Sequence, residues 1–334
     1  VACSSANQAA IACDELAATR ASTIILGGTY RKHRATMGFR TSYSEVPELG
    51  DRIFELLEMP FPGVTGGRRN GEAFGVPWEV CSTPFVAWDR GRVVCHVGLL
   101  DLPIHVMGRD QHVGGVHGVA THPELRRRGL FRGAIEELLE HAGGRFETLV
   151  LTTLHPEYFQ AFGFRVVPEF VHRAALVPAA PVPDARTLDL TRPDDLSLLH
   201  RLLERRAPIS WYLGVGAEKG CFGFVEHQTA IRYSAGLDAA VVFERAGGRL
   251  RLYDVVASRI PTLAEIIGLT GEPVEEILAF FAPDRVAGHF VAEPHDLQGG
   301  PDALEPGTMN WVFMVRGPFA AMGHPVMLPR PTRC

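Results

Sequence analysis

The run Val116-His117-Gly118-Val119-Ala120-Thr121-His122-Pro123-Glu124-Leu125-Arg126-Arg127-Arg128-Gly129-Leu130-Phe131-Arg132 constrains the fold of this chain more than any other. Its first part predicts a strand. Beyond it Phe131, Ala134, Ile135, Leu138, Leu139 and Ala142 fall at helical spacing, and Gly143-Gly144 stops the helix. Between strand and helix lies a tight turn carrying a glycine and, at or just inside it, four arginines. A helix start leaves about four backbone N–H groups unpaired and carries partial positive charge, so a turn of this kind suits a phosphate. Gly129 lets the backbone approach a ligand closely. Arginines at a helix start oppose the macrodipole, at roughly 0.3 to 1 kcal/mol each when unpaired, so a bound anion accounts for three in a row. Solvated surface arginines are the competing reading.

Elements around this run predict a mixed α/β layer fold. Val46, Leu49, Ile53, Leu56 and Leu57 predict an opening helix, and Gly63, Gly66, Gly67 and Gly71 a glycine-rich loop. Strands are expected at 85–88, 93–107 and 113–121, the first two joined by the turn Asp89-Arg90-Gly91. A strand over 146–151, a short helix over 156–162 and an extended segment over 164–177 complete the unit.

A length of 334 residues asks for two domains at roughly 100 to 200 residues each. Pro178, Pro181 and Pro183 disfavour helix and mark an extended linker over 177–184. It separates a first domain, 37–176, from a second, 185–334. Residues 1–36 read as an extension, disordered or non-native, with an ordinary Ala-rich helix as the alternative. The second half predicts a helix capped at Thr191 and opened by Pro193, a hairpin over 239–256 around Ala246-Gly247-Gly248, a helix opened by Pro261, another through Val274, Ile277, Leu278 and Phe281, and a late strand near 309–315. This order loosely echoes the first half.

The motifs resemble a known family. Arg126-x-x-Gly129-x-Phe131 after a strand ending in His-Pro is similar to the acyl-CoA-binding turn of the GNAT superfamily of N-acetyltransferases, and Tyr158-Phe159-Gln160-Ala161-Phe162-Gly163-Phe164 resembles its Tyr-x-x-x-Gly-Phe signature. The resemblance covers about 38–176 and implies an α/β, mixed-sheet GNAT fold in tandem, with a cofactor-competent N-terminal unit and a degenerate C-terminal one, as in enzymes of the enhanced intracellular survival type. No sterol-carrier-like domain is recognisable.

The resemblance also implies acetyl-CoA as acyl donor and direct attack by the primary amine of a small molecule or a protein lysine in a ternary complex. Backbone groups of Val119 and Thr121 would pair with the pantetheine arm. Arg126, Arg127, Arg128, Gly129, Leu130, Phe131 and Arg132 would face the pyrophosphate. His117 is the candidate base, expected on one strand face with Val119 and Thr121, and its ordinary pKa near 6.5 suits that task; a core histidine satisfied by hydrogen bonds is the alternative. Phe159 stands where the family keeps the tyrosine that protonates the departing thiolate. Tyr158, about 100 degrees around a helix from it, is the candidate replacement. That departure favours a non-catalytic acyl-CoA-binding or sensor protein as the first alternative, and the degenerate second half favours a structural or partner-binding protein as the second.

Enzymes of this type use the chain-terminal carboxylate as a base, and the tail here ends Pro331-Thr332-Arg333-Cys334. Trp78, Glu79, Phe85 and Trp88 divide between an acceptor-site role and core packing. His112, His117 and His122 do not form a metal site, because five residues of strand span roughly 17 Å. A net charge of -5 provides no global basic field for nucleic acid. The six scattered cysteines show no C-x-x-C pair and point to a reducing cytoplasmic setting, and no apolar run is long enough for a membrane span. The oligomeric state stays open.

Overall fold

The structure, a computed structural model, describes residues 38–175, 177–226, 229–246, 248–271, 274–295 and 311–333. The extension expected over 1–36, and Cys334, lie outside them. Among the described residues, two seven-stranded mixed sheets organise the fold.

In the first sheet, β1 (Ser82–Asp89), β2 (Arg92–Val106) and β3 (Arg109–Thr121) form an antiparallel meander. Arg90 and Gly91 close its first turn with φ of 50° and 77°, as a tight hairpin turn requires. Helix α4 (Leu130–Gly143) then crosses over to β4 (Leu149–Thr153), which runs parallel to β3. Preceding helices are α1 (Leu49–Leu57), α2 (Val64–Ala73) and the single turn α3 (Trp78–Cys81). The α4 stripe of Phe131, Ile135 and Leu138 packs on Val97, Leu99 and Val116, while α1 covers the opposite face through Leu49, Ile53 and Leu57. Each such fully buried large side chain stabilises the fold by roughly 1.5 to 3 kcal/mol.

After α5 (Pro156–Gln160) and β5 (Arg165–Val166), the chain enters the second sheet as β6 (Phe170–Ala174). The elements that follow are β7 (Arg186–Thr187), α6 (Pro193–Arg205), β8 (Leu213–Val215), α7 (Gly220–Glu226), β9 (Ala230–Ser234), β10 (Ala239–Ala246), β11 (Arg249–Ala257), α8 (Leu263–Thr270), β12 (Glu276–Ala279), β13 (Phe290–Pro294) and β14 (Val312–Arg316). Strands β9, β10 and β11 form a meander, α8 crosses over, and β12 lies parallel to β11. The central motif of the first sheet therefore recurs in the second.

Sequence and structure part at several places. The glycine-rich loop is helix α2, where Gly67 leaves room for the Phe224 ring of α7 and Gly223 of α7 leaves room for Phe74. The expected helix through Val274, Ile277, Leu278 and Phe281 is strand β12, whose apolar run is that of a parallel strand covered on both faces. Thr191 does not cap α6: the N-cap is Arg192, without a side-chain bond, and Thr191 instead donates to Asp189. The extended segment over 164–177 contributes β5 to one sheet and β6 to the other.

Strand exchange between the sheets goes further. β14 inserts between β4 and β5, and β8 pairs with the far end of β2, so two late segments complete the first sheet. The tail binds both cores, with Val326 and Leu328 in the first and Met327 in the second. The proline stretch carries neither helix nor strand, as expected, and packs on α8, where Gly268 lets the Ala180 carbonyl approach.

Candidate active site

A bulge in β3 builds the site. Gly98 of β2 lies opposite His117, but His96 lies opposite Ala120, so β3 has one residue more than β2 across this step. Gly118, with φ of 57°, takes the left-handed turn this requires. Before the bulge the Gly114 N–H donates to Thr148 beside β4, and after it the His122 N–H donates to Val94 beside β2. Backbone groups of Val119 and Thr121, alternating with those of Ala120 and His122, therefore face the β4 side.

That edge is where β4 departs. The β3–β4 ladder consists of Gly114 with Leu149 and Gly115 with Val150, and beyond it the strands splay. The Thr121 carbonyl accepts from Arg126 Nε at 3.3 Å. Past Gly115 no ladder joins β3 to β4 among the described residues, so an extended chain can add to that edge along Val119 and Thr121.

Helix α4 starts beyond the end of this edge. Its N-cap is Gly129, with φ of 76° and no side chain capping the helix, and Arg127 also has a left-handed φ of 61°. A Cβ on Gly129 would meet nothing within 4 Å, so the glycine serves conformation and access, not packing. Arg126 is half-buried, and Arg127, Arg128 and Arg132 are exposed. Arg128 donates to the Glu124 carbonyl at 3.4 Å, while Arg132 lies 3.6 Å from Glu136 with its guanidinium 5.6 Å from the Phe162 ring centre. The Phe131 ring, on the apolar stripe of α4, is buried edge-on against Phe159 and Phe162.

The bulge also overturns one expectation. His117 and Val119 do not share a face, because the extra residue reverses the alternation between them: Val119 packs on the α4 side and His117 lies against Trp78 on the α1 and α3 side. His117 is 5% exposed, and its Nε2 shares a 2.8 Å hydrogen bond with Ser82 Oγ. Gly98 makes this placement possible, since a Cβ there would overlap the imidazole. Burial, with His96 as a second cause, holds His117 well below its ordinary pKa, so the ring is neutral at neutral pH.

His96 is the functional candidate that sequence reasoning missed. Its ring centre lies 5.7 Å from that of His117, and Nδ1 is 2.7 Å from the Gly118 carbonyl. The signal in the sequence was its place on β2, but pairing it with Gly118 needs the register that the bulge sets. Trp78 Nε1 and His96 Nε2 are buried without a hydrogen-bond partner among the described residues.

The remaining candidates are dispersed. Tyr158 is half-buried, with its ring stacked on His155 at 4.9 Å, and Phe159 is buried in the core beside Phe131 and Phe164. Phe85 is core, Trp88 is half-buried, and Glu79 binds Arg68. His112 pairs with Asp101 and His122 lies 3.9 Å from Glu124, both apart from His117.

The second sheet repeats the bulge and closes the edge. Val242 lies opposite Asp254 and Phe243 opposite Leu252, leaving Tyr253 as the extra residue of β11. Beyond it the Ala257 carbonyl accepts from the Ala207 N–H at 2.7 Å, and Arg206 reaches the Val255 carbonyl and binds Asp254 at 2.5 and 2.9 Å. The chain's own segment thus occupies the strand edge. At the start of α8 a capping box of Thr262 and Glu265 places a carboxylate where the first unit leaves its helix start without a side-chain cap. Arg206 and Asp254 are both buried, so Arg206→Ala is expected to cost about 3 to 5 kcal/mol by stranding the carboxylate, measured by urea unfolding.

The mixed sheet, with bulged β3 running into the α4 start and β4 parallel to it, agrees with the fold that the resemblance of the motifs implies. Residues 52–167 match the sequence profile of the acetyltransferase (GNAT) domain. Among solved structures the chain is similar to a conserved protein from Enterococcus faecalis V583 described as a probable N-acyltransferase, with a TM-score of 0.53 at 14% identity over 83% of this chain and 71% of that one. It is likewise similar to Eis1 from Mycobacterium abscessus, with a TM-score of 0.50 at 13% identity over 84% of this chain and 73% of that one. At these identities the likeness is one of fold. No curated protein matches the sequence. Residues 52–167 thus form a GNAT acetyltransferase domain, and the solved structures share the fold of the chain around it. Among the described residues no helix is long and apolar enough to cross a membrane.

Proposed function

We propose that the protein transfers an acetyl group from acetyl-CoA to the primary amine of a small molecule or a protein lysine, by direct attack in a ternary complex. The observation that carries this reading is the splayed edge of β3 leading into the α4 start. Val119 and Thr121 would hold the pantetheine arm as an added strand. N–H groups from Arg126 to Arg132 would take the pyrophosphate, with the arginine side chains adding charge.

On this reading the neutral ring of His117 accepts the amine's proton, through water where the amine stands off. The Val119 N–H stabilises the developing oxyanion. Phe159 is buried among aromatic rings and has no proton to give, so Tyr158 or solvent protonates the thiolate. Residues 37–176 would form the donor-binding unit, 177–184 the linker, and 185–334 a partner unit whose corresponding edge the chain fills itself. The six scattered cysteines, with no C-x-x-C pair, support a reducing, cytoplasmic setting.

The test is thiol release from acetyl-CoA across polyamines, amino acids, aminoglycoside-type amines and lysine peptides. Release with equimolar acylated amine is expected for one class. Tight acetyl-CoA binding without release for any class would turn the reading to a binding protein.

A further inference from the structure

We infer that His96 is a positioning residue for acyl transfer: its ring holds the Gly118 carbonyl and so aims the Val119 N–H at the acyl oxygen. The inference rests on the acyl-transfer reading above and assigns a role to a side chain outside the phosphate turn.

The argument begins with the ladder. A bulge costs β3 a backbone partner on β2 at this step. Gly118's carbonyl is taken instead by His96 Nδ1 at 2.7 Å, from the strand that would have supplied a backbone donor. A carbonyl only accepts, so Nδ1 carries the proton. Burial pushes His96 down to about 4, so at neutral pH the ring has that single N–H and its Nε2 is a bare lone pair. No partner for Nε2 stands among the described residues.

Geometry then transmits the contact. In a trans peptide the C=O of one residue and the N–H of the next point in opposite directions. Fixing the Gly118 carbonyl toward β2 fixes the Val119 N–H toward the β4 side. Gly118 could not do this as another residue, because its φ is left-handed and a Cβ would stand 3.1 Å from Cε1 and Nδ1 of His96. Turn and ring are fitted to each other.

The test pairs two readouts on His96→Leu, His96→Asn and His96→Gln. Asparagine can place an N–H near the position of Nδ1, whereas glutamine places it near Nε2. First, the infrared carbonyl stretch of bound acetyl-CoA labelled with carbon-13 at the acyl carbon is recorded. It is expected to fall on binding to the wild type and His96→Asn, and to stay near the free value in His96→Leu and His96→Gln. Second, kcat is expected to drop roughly 100-fold in His96→Leu, with KM for acetyl-CoA within about threefold, and to recover largely in His96→Asn, the loss typical of one oxyanion donor. Equal stretch and equal kcat in wild type and His96→Leu overturn the inference. Should His96→Leu fail to fold, the asparagine and glutamine variants decide it: equal values for the two overturn it. Calorimetry that finds no acetyl-CoA binding to the wild type overturns the acyl-transfer reading, and this inference with it, an outcome distinct from binding with an unshifted carbonyl.

Discussion

Gly129→Glu is expected to weaken acetyl-CoA binding by at least about 100-fold while the fold survives. The substitution sets a carboxylate at the α4 N-terminus, where the N–H groups and arginines of the turn would otherwise meet a phosphate. Losing two charge-assisted hydrogen bonds at about 1.5 to 3 kcal/mol each accounts for that factor before any like-charge repulsion. Stability should fall by only about 1 to 2 kcal/mol, the cost of a left-handed φ for a residue with a Cβ. Space around the position is open, and a carboxylate at a helix start returns part of that cost. Gly129→Ala is the control that carries the strain without the charge. Calorimetric titration showing equal affinity in the two variants would remove the phosphate from this turn.

His117→Ala is expected to lower kcat by about 100- to 10,000-fold, the range for a general base. Gly98→Ala should produce much of the same loss without touching the histidine, because the new methyl overlaps the imidazole and drives it from Ser82. Overpacking of this kind also costs roughly 1 to 3 kcal/mol of stability. The pH profile supplies a further check with a definite sign. A base works in its neutral form, and burial holds His117 well below 6.5, so kcat/KM should be level at neutral pH and fall only below 6.5. An acid limb at or above 6.5 would assign the proton to another group. Full activity in Gly98→Ala would show that the position of this ring does not matter.

The sequence made the outline legible because its signals were local. The α4 stripe, the stop at Gly143-Gly144 and the turn at Asp89-Arg90-Gly91 each rest on a few consecutive residues, and each reappears in the structure. Misreadings came where a partner distant in the chain decides the conformation. Gly66 and Gly67 look like loop until Phe224 of α7 packs against Gly67. Ile277 and Leu278 fit helix or strand equally until β11 and β6 flank them. His117 was found by its residue type, yet its face was misassigned, because one bulge residue inverts every side chain beyond it. His96 was invisible for the same reason: its bond to Gly118 exists only in the bulged register.

The return of β14 to the first sheet has a consequence for synthesis. Strands β4 and β5 leave the ribosome early, but the strand that belongs between them ends at Arg316, roughly 150 residues after β5. At about 5 to 20 residues per second, the sheet bearing the arginine turn waits on the order of ten seconds with an unfilled seam. Throughout that interval two exposed strand edges face each other across the gap, the condition in which neighbouring nascent chains pair wrongly. Translation speed over the second half, and any chaperone that covers the seam, would then govern how much of the enzyme is born active.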